Sequence, residues 1–283
     1  MADLESFAIK TYRYLRIAMV GLVDLLAVSV AIEWWKAGRT CLQTSISAYY
    51  YTPVQAIFVG ALLAIGTCLI AVKGNTPLED IALNLAGMFA PVVALVPMSE
   101  RGSCMSVPFV LRDAAPNIDN NYLALAITGA IAAVATAVIA GRSGRLNAAT
   151  AKKFHCRDRV GLLAAAAVMT GGLVWYLWLP GFMTHAHSYT AIGMFVCLGI
   201  AAATSAFADR FGQPIADRYR RIYLAVLIGM IVAAVVVVVA ATVFKFGHAV
   251  FALEAAEIAL FATFWSAQTA EHWHGGLRPT RPD

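Results

Sequence analysis

Eight long apolar stretches occupy most of this 283-residue chain. The hydrocarbon core of a bilayer is roughly 30 Å thick, so a helix that rises about 1.5 Å per residue needs ~20 mostly apolar residues to cross it. The loops between the stretches are short, which predicts a single all-α transmembrane domain over residues 1–283, an integral membrane bundle of eight transmembrane helices. The candidate spans lie near 14–35, 53–73, 78–98, 121–141, 159–180, 185–208, 221–243 and 248–271.

Composition supports a membrane location and argues against a nucleic-acid partner. Hydrophobic residues make up 60% of the chain and charged residues only 13%, against roughly 25% charged residues in soluble domains. The net charge of +5 could suggest nucleic acid binding, but the basic residues are concentrated in alternate loops, a distribution that fixes orientation in a membrane. We therefore expect membrane lipid, and no nucleic acid, as a partner.

Basic residues cluster in four segments that fall on one side of the membrane if the chain crosses it eight times. The opposite loops carry fewer: Lys36 and Arg39, Arg101 and Arg112, and Lys245. Positive residues mark the cytoplasmic side, so we expect a multi-pass protein of the plasma membrane with both termini in the cytoplasm. The four basic segments contain Lys10, Arg13 and Arg16; Arg142, Arg145, Lys152, Lys153, Arg157 and Arg159; Arg210, Arg218, Arg220 and Arg221; and Arg278 and Arg281.

This topology separates the cysteines. Cys68 and Cys197 fall within spans and Cys156 on the cytoplasmic side, whereas Cys41 and Cys104 lie in outer loops. An oxidising compartment permits a disulfide there, which would join the loop after span 1 to the loop after span 3. Two free thiols are the alternative.

Two short segments have a structural interpretation at span boundaries. Thr76, Pro77 and Glu79 have the order of an N-cap, a proline at the first helical position and a capping glutamate. The three tyrosines Tyr49 to Tyr51 precede Pro53, which is typical of an interfacial aromatic anchor.

The segment Ser-Ile-Ser-Ala-Tyr-Tyr-Tyr-Thr-Pro at 45–53 also carries a resemblance. With Asn-Leu-Ala-Gly at 84–87, Ala-Leu-Val-Pro at 94–97 and the late stretch from Glu254 to Glu271, it resembles a family of actinobacterial membrane proteins. The resemblance covers most of the chain, and the family has no established activity to transfer.

A more distant resemblance is to the CREST group of membrane hydrolases, which includes alkaline ceramidases and progestin and adipoQ receptors. Its members use a serine, an aspartate and three histidines around zinc. Ser45 or Ser47 matches the catalytic serine, and His187 matches a histidine. Span 3 lacks an aspartate in its outer half, and the last span has no His-x-x-x-His pair. The resemblance therefore implies a related fold more than a shared site.

Three histidines are candidate zinc ligands near the outer ends of two spans: His185, His187 and His248. Three imidazoles with a carboxylate such as Glu254 would suit a tetrahedral site. Helix geometry opposes this arrangement, because residues two apart point about 200° apart, so His185 and His187 cannot both face one ion. The alternative is interfacial histidines that bond to loops and headgroups. His272 and His274 follow span 8 and are predicted to lie in a solvated tail.

Intramembrane carboxylates are the other candidates. Asp24 and Glu257 lie about 15 Å deep in spans 1 and 8, and Glu254 lies one turn from Glu257. A charge at that depth is costly, so such residues usually face the bundle interior. They are candidates for ligand binding or a proton path, or they hydrogen-bond neighbouring helices. On span 8 they begin a stripe that continues through Phe261, Trp265 and Gln268.

Three functional classes follow. The first is a non-catalytic binding or structural membrane protein; if it binds a lipid or small molecule, we expect the site in the outer half of the bundle, between residues 45–52, His187 and Glu254–Glu257. The second is a zinc-dependent lipid hydrolase of the CREST type. The third is a proton-coupled transporter or channel, which needs a cavity that reaches Asp24 and Glu257.

Overall fold

A computed structural model of the chain describes residues 2–98, 104, 114–146, 156–273 and 278. These residues form eight long helices and two short 3₁₀ segments, Ser47–Tyr51 and Ala208–Phe211, and no β-strand occurs among them. The long helices are α1 Ala2–Lys36, α2 Gln55–Ala71, α3 Pro77–Leu95, α4 Ala115–Leu146, α5 Cys156–Trp178, α6 Phe182–Ala206, α7 Asp217–Thr242 and α8 Ala249–Glu271.

Seven of these eight helices are long and apolar enough to cross a membrane; α2, at 17 residues, is apolar but shorter. The sequence predicted a longer span at 53–73. The structure shortens it because residues 52–54 form a turn before the helix and Val72 is already extended. The chain is therefore an α-helical membrane bundle with several passes.

Six of the helices form a closed ring. In spatial order they are α1, α2, α3, α6, α7 and α8, and α8 packs against α1 to complete the ring. Helices α4 and α5 lie outside it, where they pack against α3 and against each other. Outward-facing side chains on α4, α5 and α7 are large and apolar, as in Ile127, Leu163 and Val235. Such a surface is typical of helices that face lipid.

The three tyrosines of the 45–53 segment are buried, which corrects their prediction as an interfacial anchor. The exposed fractions of Tyr49, Tyr50 and Tyr51 are 0%, 2% and 4%. They form the 3₁₀ segment that connects α1 to α2 and packs into an apolar cluster with Val96 and Ala186. Burial raises the pKa of Tyr49 and of Tyr50. The segment is thus part of the core at one end of the bundle.

Helices α2 and α3 approach each other through two glycines. A Cβ at Gly66 would lie 2.8 Å from the carbonyl oxygen of Gly87, and a Cβ at Gly87 would lie 2.6 Å from that of Gly66. Small residues permit this close contact of two backbones, which stabilises helix pairs in a membrane. No larger residue fits at either position without separating the helices.

We predict that Gly87→Ala destabilises the bundle by about 1–3 kcal/mol, because its methyl group would force the two helices apart. The midpoint of thermal unfolding of the purified protein should fall by several degrees. Gly60→Ala on α2 is the matched control, since a Cβ there meets nothing within 4 Å and alanine favours a helix more than glycine does. Equal midpoints for Gly87→Ala and the wild type would contradict the close packing.

Candidate functional site

A carboxylate at the start of α8 binds the segment between α1 and α2. Oε1 of Glu254 accepts a hydrogen bond from Oγ of Ser47 at 2.8 Å, and its Oε2 accepts from the backbone N–H groups of Ser47 at 3.1 Å and Ile46 at 2.5 Å. Since backbone donors inside a membrane protein need internal partners, Glu254 holds the 3₁₀ segment in place. The structure thus brings two of the predicted site residues into direct contact.

The other candidate serine lies in the same segment but has different partners. Ser45 is fully buried, its Oγ accepts from the backbone N–H of Ala48 at 2.9 Å, and its hydroxyl lies 2.8 Å from the sulfur of Met98. Tyr51 donates its hydroxyl proton to the carbonyl oxygen of Met98 at 2.7 Å. The two contacts with Met98 join the 45–53 segment to the chain just after α3.

His187 joins α6 to the same end of α3. Its Nδ1 lies 2.8 Å from the carbonyl oxygen of Val96 and 3.1 Å from that of Val93. Both neighbours are acceptors, so Nδ1 carries the proton and Nε2 presents a lone pair. Nε2 is buried and has no hydrogen-bond partner among the residues that the structure describes. We call Ser45, Ser47, Met98, His187 and Glu254 the Glu254 cluster.

The three histidines proposed as zinc ligands do not face one another. His187 is buried, while His185 is exposed and stacks on the ring of Tyr189, as the helical spacing requires. Nδ1 of His248 lies 3.3 Å from the carbonyl oxygen of Gln43. In the described part of the chain, no group of three or more His, Cys, Asp and Glu residues is placed to hold a metal ion.

The two deep carboxylates also lie apart. Glu257 is buried, with an exposed fraction of 3%, and its Oε2 has no partner among the described residues. Asp24 is exposed on the outside of the bundle, because α1 turns Val23 and Leu26 towards the core. The expectation that Asp24 faces the interior is therefore wrong.

Cys41 and Cys104 form a disulfide, with their Cα atoms 5.9 Å apart. The backbone N–H of Cys104 also donates to Oε1 of Gln43 at 3.3 Å. The bond ties the chain that follows α1 to the chain that follows α3, beside the Glu254 cluster. Cys68 and Cys197 are free and buried within helices.

A second polar cluster lies at the opposite end of the ring, where α1, α3 and α7 begin and α6 and α8 end. Thr76 caps α3 as predicted, since its Oγ1 accepts from the N–H of Glu79 at 3.1 Å. The Glu79 side chain accepts two further hydrogen bonds: Oε1 from Nε2 of Gln268 at 2.8 Å, and Oε2 from the N–H of Asn75 at 2.9 Å. Gln268 also approaches Ser205 Oγ at 3.4 Å, so α3, α6 and α8 are joined.

The same end contains a buried ion pair from the tail. Glu271 receives two hydrogen bonds from Arg278, at 2.9 and 2.7 Å, and one from the hydroxyl of Tyr223 at 2.6 Å. His272 is buried, which corrects its prediction as solvated tail, and Arg278 is buried as well. His274 lies outside the described residues. We call Arg16, Glu79, Tyr223, Gln268, Glu271, His272 and Arg278 the Arg16 cluster.

Sequence reasoning missed this cluster because its members come from four helices and the tail. The one available signal was the polar end of the α8 stripe at Gln268.

Comparisons with known proteins do not identify this chain, since no protein family, curated protein or solved structure matches it significantly.

The hydrogen bonds of Glu254 predict different effects for two substitutions. Glu254→Ala leaves three donors without their acceptor, at about 1–3 kcal/mol for each buried donor, so we expect a marked fall in the unfolding midpoint. Glu254→Gln keeps one acceptor oxygen for the backbone donors, and its amide can donate to the Ser47 hydroxyl. We expect it to retain most of the stability. Equal stability of Glu254→Ala and the wild type would contradict the capping role.

Protonation of His272 predicts a loss of stability in acid. Burial is the main cause that lowers the pKa of His272 from 6.5 to about 4; Arg16 and Arg278 lower it as well, and Glu271 opposes them. The folded state therefore favours neutral imidazole. The stability that neutral His272 contributes is fully present above pH 6.5 and is lost as the pH falls towards 4.

Between pH 7 and 5 the unfolding midpoint of His272→Asn should fall less than that of the wild type. His185→Asn, at an exposed position, controls for the loss of a histidine and should behave as the wild type does. Identical pH profiles for His272→Asn and the wild type would show that His272 is not held neutral.

Proposed function

We propose that this chain is an eight-span protein of the plasma membrane, with both termini in the cytoplasm, and that it binds a lipid headgroup at the Glu254 cluster. The alternation of basic loops supports the orientation. Helix α2 packs between α1 and α3 in the ring, and its 17 residues span about 25 Å. Both observations support a crossing by α2, and hence eight spans. The Glu254 cluster then faces the outer leaflet.

The free Nε2 of His187 carries the binding proposal. An unpaired buried acceptor costs free energy unless a donor reaches it, and every other polar group of the Glu254 cluster described above has a protein partner. The free acceptor is an imidazole nitrogen, in the same cluster as a carboxylate that already accepts three hydrogen bonds. A ligand that fits them donates hydrogen bonds, as the ammonium group of phosphatidylethanolamine or the hydroxyl groups of phosphatidylglycerol do.

The neighbouring contacts support a binding site rather than a loose surface. His187 is fixed by Val93 and Val96, the chain after Val96 is fixed by Ser45 and Tyr51, and Glu254 fixes Ser47. The Cys41–Cys104 bond links the chain that follows α1 to the chain that follows α3. Groups held in this way are ordered before a ligand arrives, which reduces the entropy cost of binding.

Thermal unfolding in nanodiscs of defined lipid tests the proposal. Phosphatidylcholine, whose headgroup has no hydrogen-bond donor, is the reference for discs that contain phosphatidylethanolamine or phosphatidylglycerol. We expect at least one donor lipid to raise the unfolding midpoint of the wild type by several degrees. His187→Leu should lose at least half of that increase.

His185→Leu is the matched control, since it removes an exposed histidine two residues away and should keep the whole increase. Equal midpoints in all three lipids would contradict the proposal. So would an unchanged increase in His187→Leu, because the headgroup would then bind elsewhere.

A further inference from the structure

Arg16 is a buried cation for which no hydrogen bond is found within the described part of the chain. The exposed fraction of its side chain is 2%, and neither Nε nor Nη2 has a partner among the described residues. A buried donor left unpaired costs about 1–3 kcal/mol, and more when it is charged. A guanidinium with two unused buried donors would be stabilised by an anion that accepts from them.

Two further side chains of the Arg16 cluster, those of Arg278 and His272, also have buried nitrogen atoms without a described hydrogen bond. Arg278 donates hydrogen bonds from Nε and Nη2 to Glu271. Its Nη1 is buried and has no hydrogen-bond partner in the described part of the chain. Nε2 of His272 is also buried and makes no described hydrogen bond; it lies 3.5 Å from Oε2 of Glu271, within electrostatic range of both Arg16 and Arg278. The free nitrogens of these three side chains thus belong to one buried cluster.

The carboxylates of the cluster are already occupied. Both oxygens of Glu271 are used by Arg278 and Tyr223, and both oxygens of Glu79 are used by Gln268 and Asn75. Both acids lie within electrostatic range of Arg16, but no described hydrogen bond joins either of them to it. Each carboxylate oxygen of Glu79 and Glu271 thus already accepts a hydrogen bond, whereas the free donors of Arg16 have no described acceptor.

We propose that Arg16, Arg278 and His272 bind a phosphate group, either as free phosphate or as the monoester headgroup of a lipid. The planar guanidinium presents several N–H groups whose geometry matches phosphate oxygens, and such pairs are among the strongest hydrogen bonds in proteins. Exposed arginines at the same end of the bundle, Arg218 and Arg221 among them, attract anions towards it. This site is separate from the Glu254 cluster and does not depend on it.

Phosphate binding is tested by the unfolding midpoint of the full-length protein in phosphatidylcholine nanodiscs. One arm adds inorganic phosphate against chloride of equal ionic strength; the other replaces part of the lipid with phosphatidic acid and contains no free phosphate. We expect a rise of several degrees in at least one arm. A rise with inorganic phosphate alone identifies the free anion, and a rise with phosphatidic acid alone identifies the lipid.

Arg16→Met should abolish the rise and leave the anion-free midpoint unchanged or higher, because it removes an unpaired buried charge. Arg16→Lys keeps the charge but loses the planar guanidinium, so it should lose more than half of the rise in the unfolding midpoint. If Arg16→Met does not fold, Arg16→Lys tests whether Arg16 binds the phosphate group. Arg221→Met removes an exposed charge at the same end and should respond as the wild type does. No rise in either arm of the wild type, or a full rise in both Arg16 variants, would overturn the proposal.

Discussion

Closure of the six-helix ring is the constraint on which the rest of the structure depends. Inside a bilayer, polar groups must find partners within the protein, and a closed ring provides an interior for them while its outer surface stays apolar. The contact of α8 with α1 closes that ring, and the backbone approach at Gly66 and Gly87 brings α2 close enough to α3 to complete it. Helices α4 and α5 pack against α3 outside the ring.

Helix α8 connects the two polar ends of this interior. Glu254 at its start holds the segment between α1 and α2, while Gln268 and Glu271 near its end hold α3, α7 and the tail residue Arg278. Between these ends it buries Phe261 and Trp265. An apolar middle with polar groups at both ends is the distribution that a membrane interior favours, since unpaired polar groups cost most at its centre.

Local sequence patterns predicted the parts of the fold that depend on residues close to one another in sequence. The length and hydropathy of the apolar stretches predicted the helices, and the order Thr76-Pro77-x-Glu79 predicted the start of α3. The periodicity of α8 indicated that Glu257 and Gln268 share a buried face. Patterns could not reveal that Asp24 faces outward or that Tyr49 is fully buried, because these outcomes depend on which helices become neighbours. The Arg16 cluster was hidden for the same reason.

The number and direction of the membrane crossings can be measured by labelling single cysteines with a membrane-impermeant maleimide. Lys10 lies near the start of α1 and Leu179 between α5 and α6, and both side chains are exposed. Five helices separate the two positions, so they lie on opposite sides only if α2 crosses with the others. In a background without Cys156, we expect Leu179→Cys to react in intact cells and Lys10→Cys to react only after permeabilisation. Labelling of both positions from the same side would contradict the eight-span bundle.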